Sequence, residues 1–348
     1  MKKIFFSVLL LTGAYTVQAQ DFDVIIAGSK ADANKYLEGY LRPFGEGQIY
    51  NMARGWSSTA KAHKFLGFDI SVNMQAAIVP DKLQTFNFNN SEYNTFKLFQ
   101  GPNGPSSASL PTFLGGKTNQ TIYVTNTVNG QTATTSFAAP AGIGQDMKDA
   151  IGFVAVPLPV AQVGIGFIKN TDIKVRYFPQ TSFDGVKVGV FGVGLQHEFS
   201  YLPIIKKAPF LRLAGLLAYN KVSSEYDLSD GGLSGSNQRA QVDISALTIQ
   251  GMASVKFLIF EVYASAGFIA GNSNIGIKGS YTATYTGPPP ANLPVTSTIV
   301  DPVDLKYTQS GFTNTWGLRL NLAFLKVYAD YTFAKYNGAG AGIALSIR

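Results

Sequence analysis

Enzyme chemistry needs a base, a nucleophile or a ligand set, and this chain is poor in all three. Its 348 residues include two histidines, His63 and His197, and no cysteine. Without thiols there is no disulfide, no thiolate nucleophile, no cysteine metal site and no lipidated N-terminal cysteine. Zinc would need carboxylates at spacings that match no ligand pattern, so no metal and no cofactor is expected. Serine is plentiful, but the Gly-x-Ser-x-Gly turn of serine hydrolases is absent. Leu233-Ser234-Gly235-Ser236 reads as a flexible loop. His197-Glu198 ends a predicted strand and reads either as a proton relay or rim contact, or as a hydrogen-bonded pair beside a turn. The chain is expected not to be an enzyme.

The remaining charges fall mostly at alternate positions. Arg54, Lys61, Asp172, Lys174, Arg176, Arg212, Asp243, Arg319, Lys326 and Asp330 form a candidate lumen and hatch network. Such a network can bind a polar solute, pin a plug, or only pair for structure. Between Thr171 and Phe178, Asp172, Lys174 and Arg176 alternate with Ile173, Val175 and Tyr177. Side chains of a strand point to opposite faces in turn, so one face suits lipid and the other a polar interior. The same logic puts Leu211, Leu213 and Leu217 outward, and likewise Trp316, Leu318, Leu320 and Leu322. Gln241 to Ser245 also alternates, and its outer set is expected to be Val242, Ile244 and Ala246. Very tight joins are expected near Ile259–Glu261 and Ala323–Leu325.

These segments follow a leader. Met1-Lys2-Lys3 precedes an apolar run, and Val17-Gln18-Ala19 offers a small-residue cleavage site. This reads as a secretory signal peptide. Charged residues make up 14% of the chain, against roughly 25% in ordinary soluble proteins. The net charge of +7 comes with no clustered basic module, so no nucleic-acid partner is expected. Export plus period-two alternation implies an all-β fold: a closed antiparallel transmembrane β-barrel of about fourteen strands in the bacterial outer membrane, with lipid as its partner. The expected division is a signal peptide over 1–19, a hatch or periplasmic segment over 20–62 and the barrel over 63–348. Ala33, Tyr36, Leu37 and Tyr40 lie at helical spacing, and Leu41-Arg42-Pro43-Phe44-Gly45-Glu46-Gly47 is expected to break that helix. The segment is either a hatch that enters the lumen, or a periplasmic lead-in or capping helix. Gly55-Trp56 marks a close turn with an aromatic anchor. The density of glycine points to a filled or tightly curved barrel. Gly101–Gly116, Ser223–Arg239 and Gly287–Asp301 read as external loops, and Thr118–Phe137 as a hairpin turning at Asn129-Gly130.

Several stretches also carry a resemblance: Tyr40-Leu41-Arg42-Pro43, Gly55-Trp56, Phe68-Asp69-Ile70, Ala77-Ile78-Val79-Pro80, Asp172-Ile173-Lys174-Val175-Arg176-Tyr177 and Asp184-Gly185-Val186-Lys187. Over nearly all of the mature chain it resembles uncharacterised outer-membrane barrels of Bacteroidota that form a domain family of unknown function. More loosely it is similar to long-chain fatty-acid transport barrels, which have fourteen strands and an N-terminal hatch, and to an accessory subunit of the type nine secretion system. The resemblance implies either an accessory or plugging subunit of a large secretion translocon, or a porin-like channel for hydrophobic or small solutes. The channel reading requires a continuous lumen or a lateral gap, the gap supplied by a lost strand bond near a proline or glycine, with an apolar pocket by the hatch; the accessory reading requires a plugged barrel and an apolar or aromatic patch matching a larger partner.

Overall fold

The computed structural model describes residues 24–26, 28–99, 104–128, 131–183, 186–208, 210–228, 234–286 and 294–347. The expected signal peptide and the Asn129-Gly130 turn lie outside them. Ten long antiparallel strands make a cylindrical wall. They are β1 (Phe68–Ile78), β7 (Ala155–Ile168), β8 (Thr171–Phe183), β9 (Val186–Glu198), β10 (Leu211–Asp227), β11 (Gly235–Phe257), β12 (Phe260–Thr286), β14 (Val303–Leu322), β15 (Leu325–Phe333) and β16 (Gly338–Ile347). The neighbour order is β11-β10-β9-β8-β7-β1-β16-β15-β14-β12, and β11 bonds β12 in turn. An eleventh strand of the sheet, β13 (Pro294–Val300), extends it along the far end of β12.

The expectation of a closed barrel of about fourteen strands is corrected on both counts. Ten strands form the wall, because the stretch between β1 and β7 builds a separate cap. The wall is also not hydrogen-bonded all the way round. β7 and β8 pair only from Val163↔Val175 to Ile168↔Thr171, so 155–162 and 176–182 face each other unpaired.

Alternation explains the wall. In β1, Ser71, Asn73 and Gln75 are buried inside, while Ile70 and Val72 are about half exposed outside. At one end the joins are short: Phe257↔Phe260 and Leu322↔Leu325 are two-residue turns, with Leu258 and Ala323 at positive φ. That conformation matches the twist of the flanking strands. The other end carries most of the long connections, including everything from 79 to 154, while residues 199–210 between β9 and β10 are a longer connection at the short-turn end.

The cap stands at that loop end. It holds a two-stranded sheet, β2 (Thr85–Asn89) with β4 (Ser107–Pro111), and a three-stranded one, β3 (Phe96–Lys97), β5 (Thr121–Val128) and β6 (Gln131–Ala138). The expected threonine-rich hairpin is thus β5 and β6, paired from Thr121↔Ala138 to Val128↔Gln131. Its core is aromatic. Phe88 stacks on Tyr93 at 4.2 Å, and Tyr36 meets Phe86, Phe88, Phe96 and Phe137 edge-on.

Helix α1 (Lys30–Met52) joins cap and wall. The Ser29 side chain accepts from Asp32 N (3.0 Å), and the Asp32 carboxylate accepts from Asn94 N, Thr95 N and Thr95 Oγ1. A side-chain N-cap and an acid in the first turn are the usual start signals. The expected break at 41–47 does not occur, and the helix continues through Pro43, Gly45 and Gly47. Tertiary packing overrides propensity here: a Cβ on Gly45 would lie 2.4 Å from the Tyr307 ring, and one on Gly47 2.9 Å from Val156. Those glycines are close-approach positions inside the cylinder. A second short helix, α2 (Gly144–Ile151), closes the cap, and α3 (Pro203–Lys206) lies between β9 and β10.

Candidate functional site

The inside of the wall is occupied by the chain itself. Along α1, Tyr307 Oη donates to Glu38 O (3.0 Å) and Asn51 Nδ2 to Val156 O (2.7 Å), so the helix touches wall strands far apart in the ring. Beyond α1 the chain descends from Ala53 to Lys64 through the rest of the lumen. Gly55 takes φ +69, and Trp56 follows, 1% exposed. The indole needs room on β9. A Cβ on Gly194 would sit 3.0 Å from its ring and one on Gly192 3.1 Å.

Arg176 organises this packing. It is fully buried, and its guanidinium lies 3.7 Å from the centre of the Trp56 ring. Nε donates to Gln162 Oε1 (3.1 Å), Nη1 to Met52 O (3.3 Å) and Nη2 to Arg54 O (2.8 Å). Helix C-termini leave carbonyls without intrahelical partners and favour a nearby cation. The last turn of α1 has no basic residue, so the wall supplies the cation. Thr248 Oγ1 adds a donor to Ala53 O (3.1 Å).

The other candidate network residues are spread over several places. Asp172 accepts from His63 N (2.8 Å) and faces His63 Nδ1 at 2.9 Å, and Lys174 lines the same small void. Arg319 donates to Ser58 Oγ (2.9 Å). Arg54 donates to Tyr336 O and lies over the Tyr50 ring. Asp330 accepts from Tyr263 Oη at 2.8 Å. Three members sit at the turn-end rim. Arg212 Nε lies 3.5 Å from Glu198 Oε1, and Lys326 donates to Ala323 O. Lys61 is exposed there. Asp243 is not in the lumen. It accepts from Ser223 Oγ and Gln241 Nε2, both at 2.6 Å, on the outward face of β11. Correspondingly Ile244 and Ala246 are buried inside, and Val242 packs toward the same core. The expected face of 241–246 is therefore inverted, because α1 makes the lumen apolar at that height.

Sequence reasoning gave several residues no contact with the plug. Glu261 accepts from Thr59 Oγ1, Glu198 accepts from Ala62 N (2.8 Å), and Gln196 donates to Thr59 O (3.1 Å). Each lies on a polar parity of its own strand, so period two was the available signal. His197 and Glu198 do not pair. His197 Nδ1 meets Thr171 Oγ1 at 2.8 Å on the outer side, among Phe199 and Tyr201.

His63 was not singled out with Asp172 and Ser346, yet the three lie in line, with Nε2 3.4 Å from Ser346 Oγ. Asp–His–Ser is the order of a hydrolytic triad. Here Nε2 also lies 3.4 Å from Asp69 Oδ2, and the adjoining void of about 20 Å³ has room for one water.

The open side of the wall is a different kind of site. Val79 N donates to Val154 O and Gly166 N to Gly67 O, so the even-numbered residues of β7 turn their backbone groups toward β1. The odd ones face β8, and they include Pro157 and Pro159. On β8 the residues facing β7, counted from Val175, are Tyr177 and Pro179. Proline has no N–H, so three ladder donors are missing along this seam. The plug takes up part of the slack, since Gln48 Nε2 donates to Pro157 O (3.4 Å). Unpaired backbone at membrane depth is tolerated where it lines a cavity. A cavity of about 200 Å³ opens there, reaching from Val72, Pro159 and Ala161 through the gap to Met52, Val190, Val222 and Ile244. Of its polar members, Gln48, Arg176 and Asn220 are engaged by the plug and wall, and the Tyr177 phenol is the one other polar group, so the free lining is mostly apolar.

Around the cylinder, Val175, Tyr177, Leu217, Trp316, Leu318 and Leu322 are exposed on the outward face, with Ile173, Leu211, Leu213 and Leu320 half-exposed beside them. Among the described residues no helix is long and apolar enough to cross a membrane. A polar, hydrogen-bonded interior inside an apolar strand belt defines an integral outer-membrane protein with an internal plug. The chain belongs to a family of unknown function, DUF6588, whose profile matches residues 1–347. No curated protein matches it in sequence. Among solved structures it is similar to the outer membrane protease OmpT from Escherichia coli (8% identity, 83% of this chain and 100% of that one, TM-score 0.31). It is also similar to the translocator domain of the autotransporter NalP from Neisseria meningitidis (9%, 81% and 88%, TM-score 0.24). A third is the toluene transporter TodX of P. putida (7%, 81% and 90%, TM-score 0.22). Scores this low carry no argument about function.

Proposed function

We propose that this protein binds small apolar solutes at the lateral opening between β7 and β8 and exchanges them with the membrane. It is the hydrophobic-solute channel of the two roles drawn from the sequence, with a sideways route. One observation carries the reading: an apolar cavity breaches the wall where three prolines withhold ladder donors. At about 200 Å³ it holds roughly seven groups of water size (~30 Å³ each), enough for a short alkyl chain or one ring. No free charge lines it, so the solute is uncharged. The role is non-enzymatic, and the Asp172–His63–Ser346 line acts as a clamp between plug and wall. A filled lumen also suits the accessory role in a secretion translocon, but that role, the type nine link and the Bacteroidota affiliation otherwise rest on resemblance, and the plug by itself names no partner.

The test is photolabelling of nanodisc-embedded protein with an alkyl diazirine, the adducts mapped by peptide mass. Labelling concentrated on 155–162 and 176–182, displaced by excess decane and reduced in Val190→Phe, supports the reading. Uniform labelling around the belt, unaffected by decane, overturns it.

A further inference from the structure

The partners of the luminal segment form a descending series. Near its start, Asn34 Nδ2 donates to Pro302 O and Asn34 Oδ1 accepts from Asp304 N, at the long-loop end of β14. Further on, Ala53 O accepts from Thr248 midway along β11. Then Ala60 N donates to Ser254 Oγ, Ala62 N to Glu198, and His63 N to Asp172, all at the short-turn end. The chain enters the lumen at the cap, runs its full height and leaves to become β1 from the opposite rim. Both ends are held. Above, Ser29 N donates to Thr95 Oγ1, a Cβ on Gly28 would lie 2.4 Å from the Phe96 ring, and Ile25 is buried in the apolar cluster that joins cap and lumen; below, Leu66 N donates to Gly166 O and the chain passes straight into the wall.

In outer-membrane strand proteins the short turns face the periplasm and the long connections face outward. The joins Phe257–Phe260 and Leu322–Leu325 mark the periplasmic rim, and the cap marks the cell surface. We infer that the plug is threaded from outside to inside, so that the start of α1 and the cap it is anchored in stand on the cell surface. This arrangement makes the cap a surface domain tied to the plug, and it is independent of what the lateral cavity binds. A periplasmic hatch has a free end that can swing away. This plug has none, because its first residues are built into an external domain and its last into a wall strand. The axial route therefore stays filled while both anchors hold.

The chain has no cysteine, so single cysteines report cleanly. Ala31→Cys lies in the first turn of α1 and Lys64→Cys at the other end of the luminal segment, and both positions are exposed. Asp304→Cys, also exposed, reports the loop end of the wall. Cells expressing each full-length variant are treated with a membrane-impermeant maleimide, intact or with the outer membrane permeabilised. Labelling after denaturation gives the total, and heat-modifiable gel mobility confirms folding. The expected result is that Ala31→Cys and Asp304→Cys label on intact cells to the permeabilised level, while Lys64→Cys stays at background until permeabilisation. If Asp304→Cys labels on intact cells and Ala31→Cys does not, the threading is wrong. If Lys64→Cys is the one that labels on intact cells, or if Asp304→Cys does not label there, the assigned sidedness is wrong and the inference falls.

Discussion

Two seams of the same wall behave in opposite ways. β11 and β12 pair without interruption from Phe257↔Phe260 up to Arg239↔Lys278, whereas β7 and β8 part company above Val163↔Val175. Both seams have apolar outward residues and both back onto the plug. The difference is local. β11 and β12 carry no proline along that ladder, while Pro157, Pro159 and Pro179 sit where β7 and β8 should exchange bonds. A strand can thus be bonded on one edge and open on the other, because successive residues direct their backbone groups to alternate neighbours. Pro157 and Pro159 occupy one parity, and the β1 ladder on the other parity stays whole from Phe68↔Ile165 to Ile78↔Ala155.

The comparison breaks most severely if the plug is released, because the open seam then loses its backing. Arg176→Met strips the cation from the end of α1 and the stack from Trp56. The expected loss is about 3–5 kcal/mol, read as a lower unfolding midpoint in denaturant and greater exchange of 48–64 amides. A variant as stable as the parent would remove Arg176 from its central place. Next, Gly194→Val puts new atoms against the Trp56 indole on a closed part of the wall. Overpacking there is expected to cost about 1–3 kcal/mol, and Gly251→Val, with nothing near its added Cβ, much less.

The seam itself is sharpened by Pro157→Val combined with Pro159→Val. Two N–H donors return on the edge facing β8, each worth about 0.5–1.5 kcal/mol if bonded. Slower amide exchange at 176–182 and weaker diazirine labelling are expected. Unchanged exchange would mean that the prolines do not hold the seam open. The smallest effect is expected at Asp243→Asn. On the outer face, bonded to Ser223 and Gln241, it should shift stability by no more than about 0.5 kcal/mol. A large loss would contradict an outward, weakly coupled Asp243.

How much of this was legible beforehand depends on the residue. Asp172, Lys174 and Arg176 could be placed together because a strand states its parity plainly, and Gly55-Trp56 announced a turn with an anchor. Gln196 and Glu261 are as regular but lie on strands with fewer charges, and Glu198 is legible in the sequence only as a neighbour of His197. The break expected in α1 followed propensity, which Pro43 and two glycines truly oppose. It failed because those glycines fit Tyr307 and Val156 inside a cylinder, a contact that no window of sequence contains. Counting strands failed for a related reason: the cap strands between β1 and β7 alternate like wall strands but close their own small sheets.

Alternation by itself determined that this chain has lipid-facing and polar strand faces, and the missing thiols and scarce histidines narrowed its chemistry. Which face of β11 points inward, where the wall stays open, and that the N-terminal segment runs the length of the lumen were decided only by tertiary structure. The physical reason is that a period-two pattern separates two faces without saying which is inside. At Val242, Ile244 and Ala246 the apolar face turns inward because α1 fills that part of the lumen with hydrocarbon. Inside and outside are properties of what a strand packs against, and those neighbours come from distant parts of the chain.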